Sequence, residues 1–279
     1  MYRLERVADD GTPGEVAVTV LGAHLNPREG RLVWSGGLVD LLAQLGFTEG
    51  AARVALARLV QRDLLARTKR GRHVHYSLTI RALAVLSDGD RRIFLLGKEK
   101  PAATVWTVLW HTIPEEHRRS RERLVRRLRF LGFGQVQDGT WIAPHDRETE
   151  VAALLDELSV TEHAGLLLGA PSAVVDVRTV LARAWDLDAV AAGYTGFVAR
   201  FGEYTTARAR RDLDDRGAFA LRTRLTHTFR QFPFLDPELP DDLVPPPADR
   251  ARAVRLFHDL YAALEPPAQR HFDEVTAHE

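Results

Sequence analysis

Cysteine is absent from the 279-residue chain. That excludes a disulfide framework, a thiolate metal site and a cysteine nucleophile. No apolar run approaches the roughly 20 residues needed to span a bilayer as a helix. The opening Met1-Tyr2-Arg3-Leu4-Glu5-Arg6 lacks the apolar core of a secretory signal. The cytoplasm is therefore the expected location. Net charge is lacking as well, because 38 basic residues balance 38 acidic ones; bulk charge gives no sign of a polyanionic partner. What is present in ordinary amount is apolar sequence, at 45%, beside 27% charged residues. Such a composition is that of a folded chain with a sizeable core. Its length fits two or three domains.

The neutral total hides an uneven distribution. Phe47 to Tyr76 carries seven basic residues, Arg53, Arg58, Arg62, Arg67, Lys69, Arg70 and Arg72, against Glu49 and Asp63. Glu115 to Arg129 carries seven arginines against three glutamates. Leu235 to Glu279 carries ten acids against four arginines. Two basic segments and an acidic C-terminal part point to an anionic partner near the N-terminus. A single arginine-rich helix face is commonly just solvated, so position must decide.

Residues 1–15 are polar and read as mobile. Val16 to Leu21 alternates like a strand, although Val16, Val20 and Leu25 also fit a short helix. Arg31 to Trp34 reads as extended, and Ser35 as the cap of a helix through Leu38, Leu41, Leu42 and Leu45. Thr48 caps a second helix to about Arg62, with Ala52, Ala55, Leu56 and Leu59 inward and Arg53, Val54, Ala57 and Arg58 outward. Leu64–Thr68 and His73–Leu78 read as strands joined by the basic turn Lys69-Arg70-Gly71-Arg72. Helix, turn, helix and basic hairpin form a winged helix-turn-helix pattern, in which an outward helix face fits the DNA major groove and a basic wing lies along the backbone. A helix then covers about 81–97, and Gly97–Pro101 reads as a linker.

From there the pattern changes to strand (104–110), helix (118–131), a hairpin through Asp138-Gly139, helix (148–158) and strand (164–169). This βαββαβ order is that of a ferredoxin-like domain. Beyond Pro171 the chain reads as helical, with a proline-rich loop at 233–247 and a last helix at about 249–264. The expected architecture is α+β and multidomain: a winged helix-turn-helix at 1–97, a ferredoxin-like domain at 98–172 and a helical domain at 173–279.

Several separated motifs carry a resemblance. Leu45-Gly46-Phe47-Thr48 through Arg53–Val60, and Arg67–Arg72 with Tyr76-Ser77-Leu78-Thr79, are similar to the recognition helix and wing of the PaaX family, the repressors of phenylacetate degradation operons. Ile113-Pro114-Glu115, Arg126–Gly134 and Gly139–Asp146 are similar to its middle domain, and Trp185–Asp188 and Phe232–Pro237 to its C-terminal domain. The likeness spans about 16–265. It implies a homodimeric repressor that binds palindromic double-stranded operator DNA and is released by an aryl-CoA or acyl-CoA thioester such as phenylacetyl-CoA. It also implies a helix, not a strand, at Val16–Leu21. Family members often carry longer polar residues where this chain has Val54 and Ala57, which implies a different base preference.

On this reading Thr48, Arg53, Val54, Ala57 and Arg58 face DNA from the helix, and Lys69, Arg70, Arg72 and His73 from the wing. A thioester effector needs cations for its phosphates and an apolar slot for its acyl group; Arg118, Arg119, Arg126, Trp185 and His227 are the candidates, beside Tyr194, Phe197, Phe229, Phe232 and Phe234 as further aromatic surface. The middle domain is also similar to Cas2 nucleases, so the alternative is a nucleic-acid-processing enzyme. Those nucleases hold metal with an aspartate where this chain has Thr112, and a hydroxyl is a poor substitute for a carboxylate on Mg²⁺. His73 and His75 share a strand face without a third ligand, and His145-Asp146 fits a turn better than a catalytic pair. No nucleophile elbow or phosphate-cradling glycine loop is present. No catalytic, metal or cofactor site is expected.

Overall fold

The computed structural model describes residues 11–98, 105–172, 174 and 176–277. In chain order the helices are α1 Pro13–His24, α2 Ser35–Gln44, α3 Glu49–Gln61, α4 Ile80–Leu95, α5 Arg118–Phe130, α6 Glu148–Glu157, α7 Arg178–Ala184, α8 Leu187–Phe201, α9 Ala207–Arg211, α10 Asp215–Phe229, α11 Phe232–Leu235, α12 Arg250–Ala263 and α13 Glu265–Thr276. The strands are β1 Val33–Trp34, β2 Leu65–Arg70, β3 His73–Leu78, β4 Trp106–His111, β5 Gly134–Gln137, β6 Thr140–Ala143 and β7 Ala164–Gly169. They pack as two compact units, one of Met1–Leu95, Phe197–Arg230 and Arg252–Glu279, the other of Leu96–Gly196 and Gln231–Ala251. The stretch after residue 172 is thus shared between them.

In the first unit Val16–Leu21 is helical, against its strand-like alternation. Thr12 and Glu15 close a capping box and Pro13 opens the helix, where a missing N–H costs nothing. Val16, Ala17, Val20 and Leu21 are buried, so tertiary packing outweighs β-branched propensity. The helix also begins inside the stretch read as mobile; residues 1–10 lie outside the described residues. Ser35 is the first residue of α2 and not its cap. Trp34 stands at the cap position without a side-chain bond, because Trp34 is held in β1 opposite His75.

The helix expected at 249–264 is followed by a second one, α13, that the sequence reading missed. Pro266 and Pro267 look like breakers but sit in its first turn, where proline is tolerated. Ala268 and Phe272 join Val16, Leu41, Leu56 and Phe219 in one apolar core. At Gly37 of α2 a Cβ would stand 2.3 Å from the Val275 carbonyl oxygen; only glycine lets α2 and α13 approach so closely.

Polar groups are buried in this core too. Arg222 of α10 donates to the carbonyls of Ala23 and Tyr261 and stacks 3.9 Å above the Tyr261 ring. Both carbonyls lie at helix C-termini, the negative ends of the helix dipoles. His24 packs beside it, with Nε2 2.9 Å from the Thr223 hydroxyl. Burial, then the charge of Arg222, hold His24 well below the usual histidine range. A histidine neutral when folded and free to protonate when unfolded makes stability rise with pH. The contribution is complete above about pH 6.5, the unfolded value, and is lost as pH falls through and below it, at up to about 1.4 kcal/mol per pH unit for one proton. His271 is lowered as well, first by burial. His24→Gln is therefore expected to flatten, without abolishing, the pH dependence of unfolding between pH 5 and 6.5; urea titrations across that range check it, and identical slopes in the two proteins would contradict it.

The second unit contains the βαββαβ run. Its sheet is antiparallel in the order β5-β6-β4-β7, the ferredoxin-like arrangement. Leu109, Trp141 and Ala143 of the sheet and Leu124, Leu128, Val151 and Leu155 of α5 and α6 form the core on one face. Trp106, Ile142 and Leu181 form a smaller one, including α7, on the other. Beyond the sheet, Tyr194 stacks on Phe232 at 4.2 Å and donates to Asp236 at 2.7 Å. Arg250 pairs with the same carboxylate at 2.6 Å and with Glu238 at 2.8 Å. Of the expected linker, residues 99–101 lie outside the described residues.

Candidate nucleic-acid interface

Thr48 terminates the turn after α2 and accepts from the Ala51 backbone N–H, fixing the start of α3. Ala52, Ala55, Leu56 and Leu59 turn inward and are buried. The 3.6-residue period then leaves Arg53, Val54, Ala57 and Arg58 exposed on the opposite face. Arg53 reaches back to Glu49 at 3.2 Å, both side chains about two-thirds exposed. Among the described residues Arg58 has no carboxylate within ion-pair distance.

The hairpin is longer than the sequence reading. Lys69 and Arg70 do not belong to the turn; they pair with Val74 and His73, so the ladder continues to its tip. The turn is Gly71-Arg72, with Gly71 at φ +58°. Strand alternation puts Arg67 and Lys69 on one face and Arg70 on the other. Among the described residues none of the three has a carboxylate partner, and all are exposed. Arg72 donates to His73 Nε2 at 3.0 Å, and His73 meets the edge of Trp34. The exposed outer face of α3 and the hairpin thus carry cations that the protein itself leaves largely unneutralised. Such groups can donate to phosphate oxygens or to base-edge acceptors.

The effector candidates are not brought together as a set. Arg118 is held by Glu122 at 2.9 Å. Arg119 is exposed about 100° around α5 from it. Arg126 and Trp185 line adjoining clefts in the second unit. His227 belongs to the first unit, where it is buried against the Thr19 hydroxyl at 2.9 Å. Of the other aromatic residues, Tyr194, Phe197, Phe229 and Phe232 are core, while Phe234 keeps 37% of its surface exposed. Helical periodicity cannot distinguish a core aromatic from a pocket-lining one. Arg129 and Trp141, which line both clefts, were missed; Arg129 carried the one available signal, its position one turn beyond Arg126.

Comparison with known proteins places these elements. The model of a PaaX-like protein matches residues 13–82, that of the PaaX protein central Cas2-like domain residues 99–180, and that of the PaaX-like protein C-terminal domain residues 185–274. The transcriptional repressor PaaX of Escherichia coli (strain K12) is 27% identical over 259 residues, covering 90% of this chain and 79% of that protein. A solved structure, the uncharacterized protein Rv0674 from Mycobacterium tuberculosis, matches with a TM-score of 0.56 and 23% identity, covering 95% of this chain and 99% of that one; it shows the fold alone. Matched in order by three models of one family over nearly its whole length, the chain belongs to the PaaX family.

Proposed function

We propose that the chain is a homodimeric transcriptional repressor of a catabolic operon, acting in the cytoplasm. Its N-terminal part is read as a winged helix-turn-helix, with α3 in the major groove of double-stranded operator DNA and the β2–β3 hairpin along the backbone. A two-fold dimer would present two such helices to the halves of a palindrome. An aryl-CoA or acyl-CoA thioester is the proposed releasing effector. The division into segments 1–97, 98–172 and 173–279 stands as a proposal about the family's domains, supported by the three matched stretches. The observation that carries the reading is the set of exposed cations on α3 and the hairpin, of which Arg58, Arg67, Lys69 and Arg70 have no acid partner among the described residues; the similarity to a protein named a transcriptional repressor supports it. Among the described residues no helix is long and apolar enough to cross a membrane. The nuclease alternative is not favoured: Thr112 follows β4 and is engaged through its backbone with His163, offering no carboxylate. No cofactor is proposed.

The hairpin provides the test. Lys69, Arg70 and Arg72 contact phosphates on this reading, so replacing all three with alanine weakens specific and random DNA alike. The plot of log affinity against log salt becomes shallower by about 0.9 per lost phosphate contact. Fluorescence anisotropy at several salt concentrations measures both. A variant with an unchanged salt slope and only its sequence preference lost would contradict the assignment.

A further inference from the structure

Two clefts adjoin along α5 and the β5–β6 hairpin, all within the second unit. One, of about 410 Å³, is walled by His111, Arg121 and Arg126. The other, of about 770 Å³, is walled by Phe130, Phe133, Trp185 and Phe234. Arg129, Gln135, Asp138 and Trp141 line both. The pair forms one trough, cationic at one end and aromatic at the other, and each part has the volume of a small-molecule site.

Three features mark the trough, in which Arg129 also lies 5.9 Å over the Trp141 ring. Arg126 and Arg129 are exposed, and among the described residues neither has an acid partner. The acids nearby are largely engaged elsewhere, Glu122 with Arg118 and Glu115 with Arg121, leaving Asp138 at the junction. Second, Trp141 is 1% exposed and, among the described residues, its indole N–H has no acceptor. A buried donor left unpaired costs about 1–3 kcal/mol and calls for an explanation. Third, Phe130 and Phe234 stack at 4.8 Å while both stay more than a third exposed. Trp185 is fixed beside them over Gly134, where a Cβ would stand 2.5 Å from its ring.

We propose that this trough is the effector site and that it takes an amphipathic organic anion, with phosphate or carboxylate oxygens at Arg126 and Arg129 and a flat apolar group among Phe130, Trp185 and Phe234. Trp141 stands at the junction of the two ends, lining both clefts. The inference rests on the repressor reading, which left the effector without a location. Neither end alone explains the other: a simple anion site needs no exposed aromatic wall, and an apolar slot needs no arginines that lack an acid partner among the described residues.

Isothermal titration of the full chain with phenylacetyl-CoA, free coenzyme A and phenylacetate separates the ends. The expected order is phenylacetyl-CoA tighter than either fragment. The double variant Arg126→Ala/Arg129→Ala should lose ten-fold or more in affinity for phenylacetyl-CoA and for coenzyme A. Phe234→Ala should weaken phenylacetyl-CoA several-fold and leave coenzyme A unchanged. Operator-DNA binding by each variant confirms folding and reports on the repressor reading separately. Unchanged thioester affinity in the arginine and phenylalanine variants would overturn the site. Absence of binding by wild-type protein to all three compounds, with operator binding intact, would overturn the proposal and leave the repressor reading standing.

Discussion

Arg53→Ala and Arg58→Ala are each expected to lower operator affinity by about 5- to 150-fold, the equivalent of about 1–3 kcal/mol for one bidentate base contact. The double variant should bind operator no better than unrelated DNA. The fold should be untouched. Arg53 makes one exposed pair, with Glu49 one turn away, and such helix pairs contribute about 0.3–0.5 kcal/mol. Arg58 lies opposite the buried face of Ala52, Ala55, Leu56 and Leu59, so truncation opens no cavity. Val54 and Ala57 between them offer no hydrogen bonds; their part is close approach and apolar contact, as with a thymine methyl. Anisotropy titrations with operator and shuffled duplexes, beside thermal melts, check the prediction. Wild-type operator affinity in both single variants would mean that α3 does not read the sequence.

Asp236→Ala carries the largest expected cost in stability. The carboxylate is 8% exposed and accepts from Tyr194 at 2.7 Å and from Arg250 at 2.6 Å. Burial raises the Tyr194 hydroxyl above the usual tyrosine range, and the neighbouring Asp236 charge adds to it, so Tyr194 stays a donor at any ordinary pH. Removing the acceptor leaves that hydroxyl unpaired and Arg250 with Glu238 alone. Breaking a buried pair from one side costs about 3–5 kcal/mol. Asp236→Asn keeps an acceptor oxygen and should cost less. Urea unfolding followed by tryptophan fluorescence measures both variants, and reports chiefly on the second unit, which holds Asp236 and four of the five tryptophans. An unchanged midpoint in Asp236→Ala would show that the network is incidental.

Much of the second unit was legible because its signals are local. The Asp138-Gly139 turn, alternation in the strands and the Leu124–Leu128 stripe of α5 each specify their own element. The α3 face was legible for the same reason: Thr48 marks the start and the alanines and leucines mark the inside. Local signals run out where long-range packing decides. Val16–Leu21 becomes a helix because α1 buries that face in a core shared with Phe219 and Phe272, which lie far along the chain. α13 escaped notice because two prolines in a first turn look like a loop. His227 was placed with a ligand site because a buried histidine and an exposed one look alike in a row of letters; its partner Thr19 is 208 residues away. The trough was half visible, in Arg126 and Trp185, but Trp141 reads as core, and only its place along both clefts marks it.

The central claim, sequence-specific binding of double-stranded DNA, is most directly tested by titrating the full wild-type chain onto a labelled duplex from upstream of its own gene and onto a shuffled duplex of the same composition. The account predicts binding of the upstream duplex at least about 10³-fold tighter than the shuffled one at physiological salt, with both affinities falling steeply as salt rises. Equal affinity for the two duplexes at every salt concentration would contradict it.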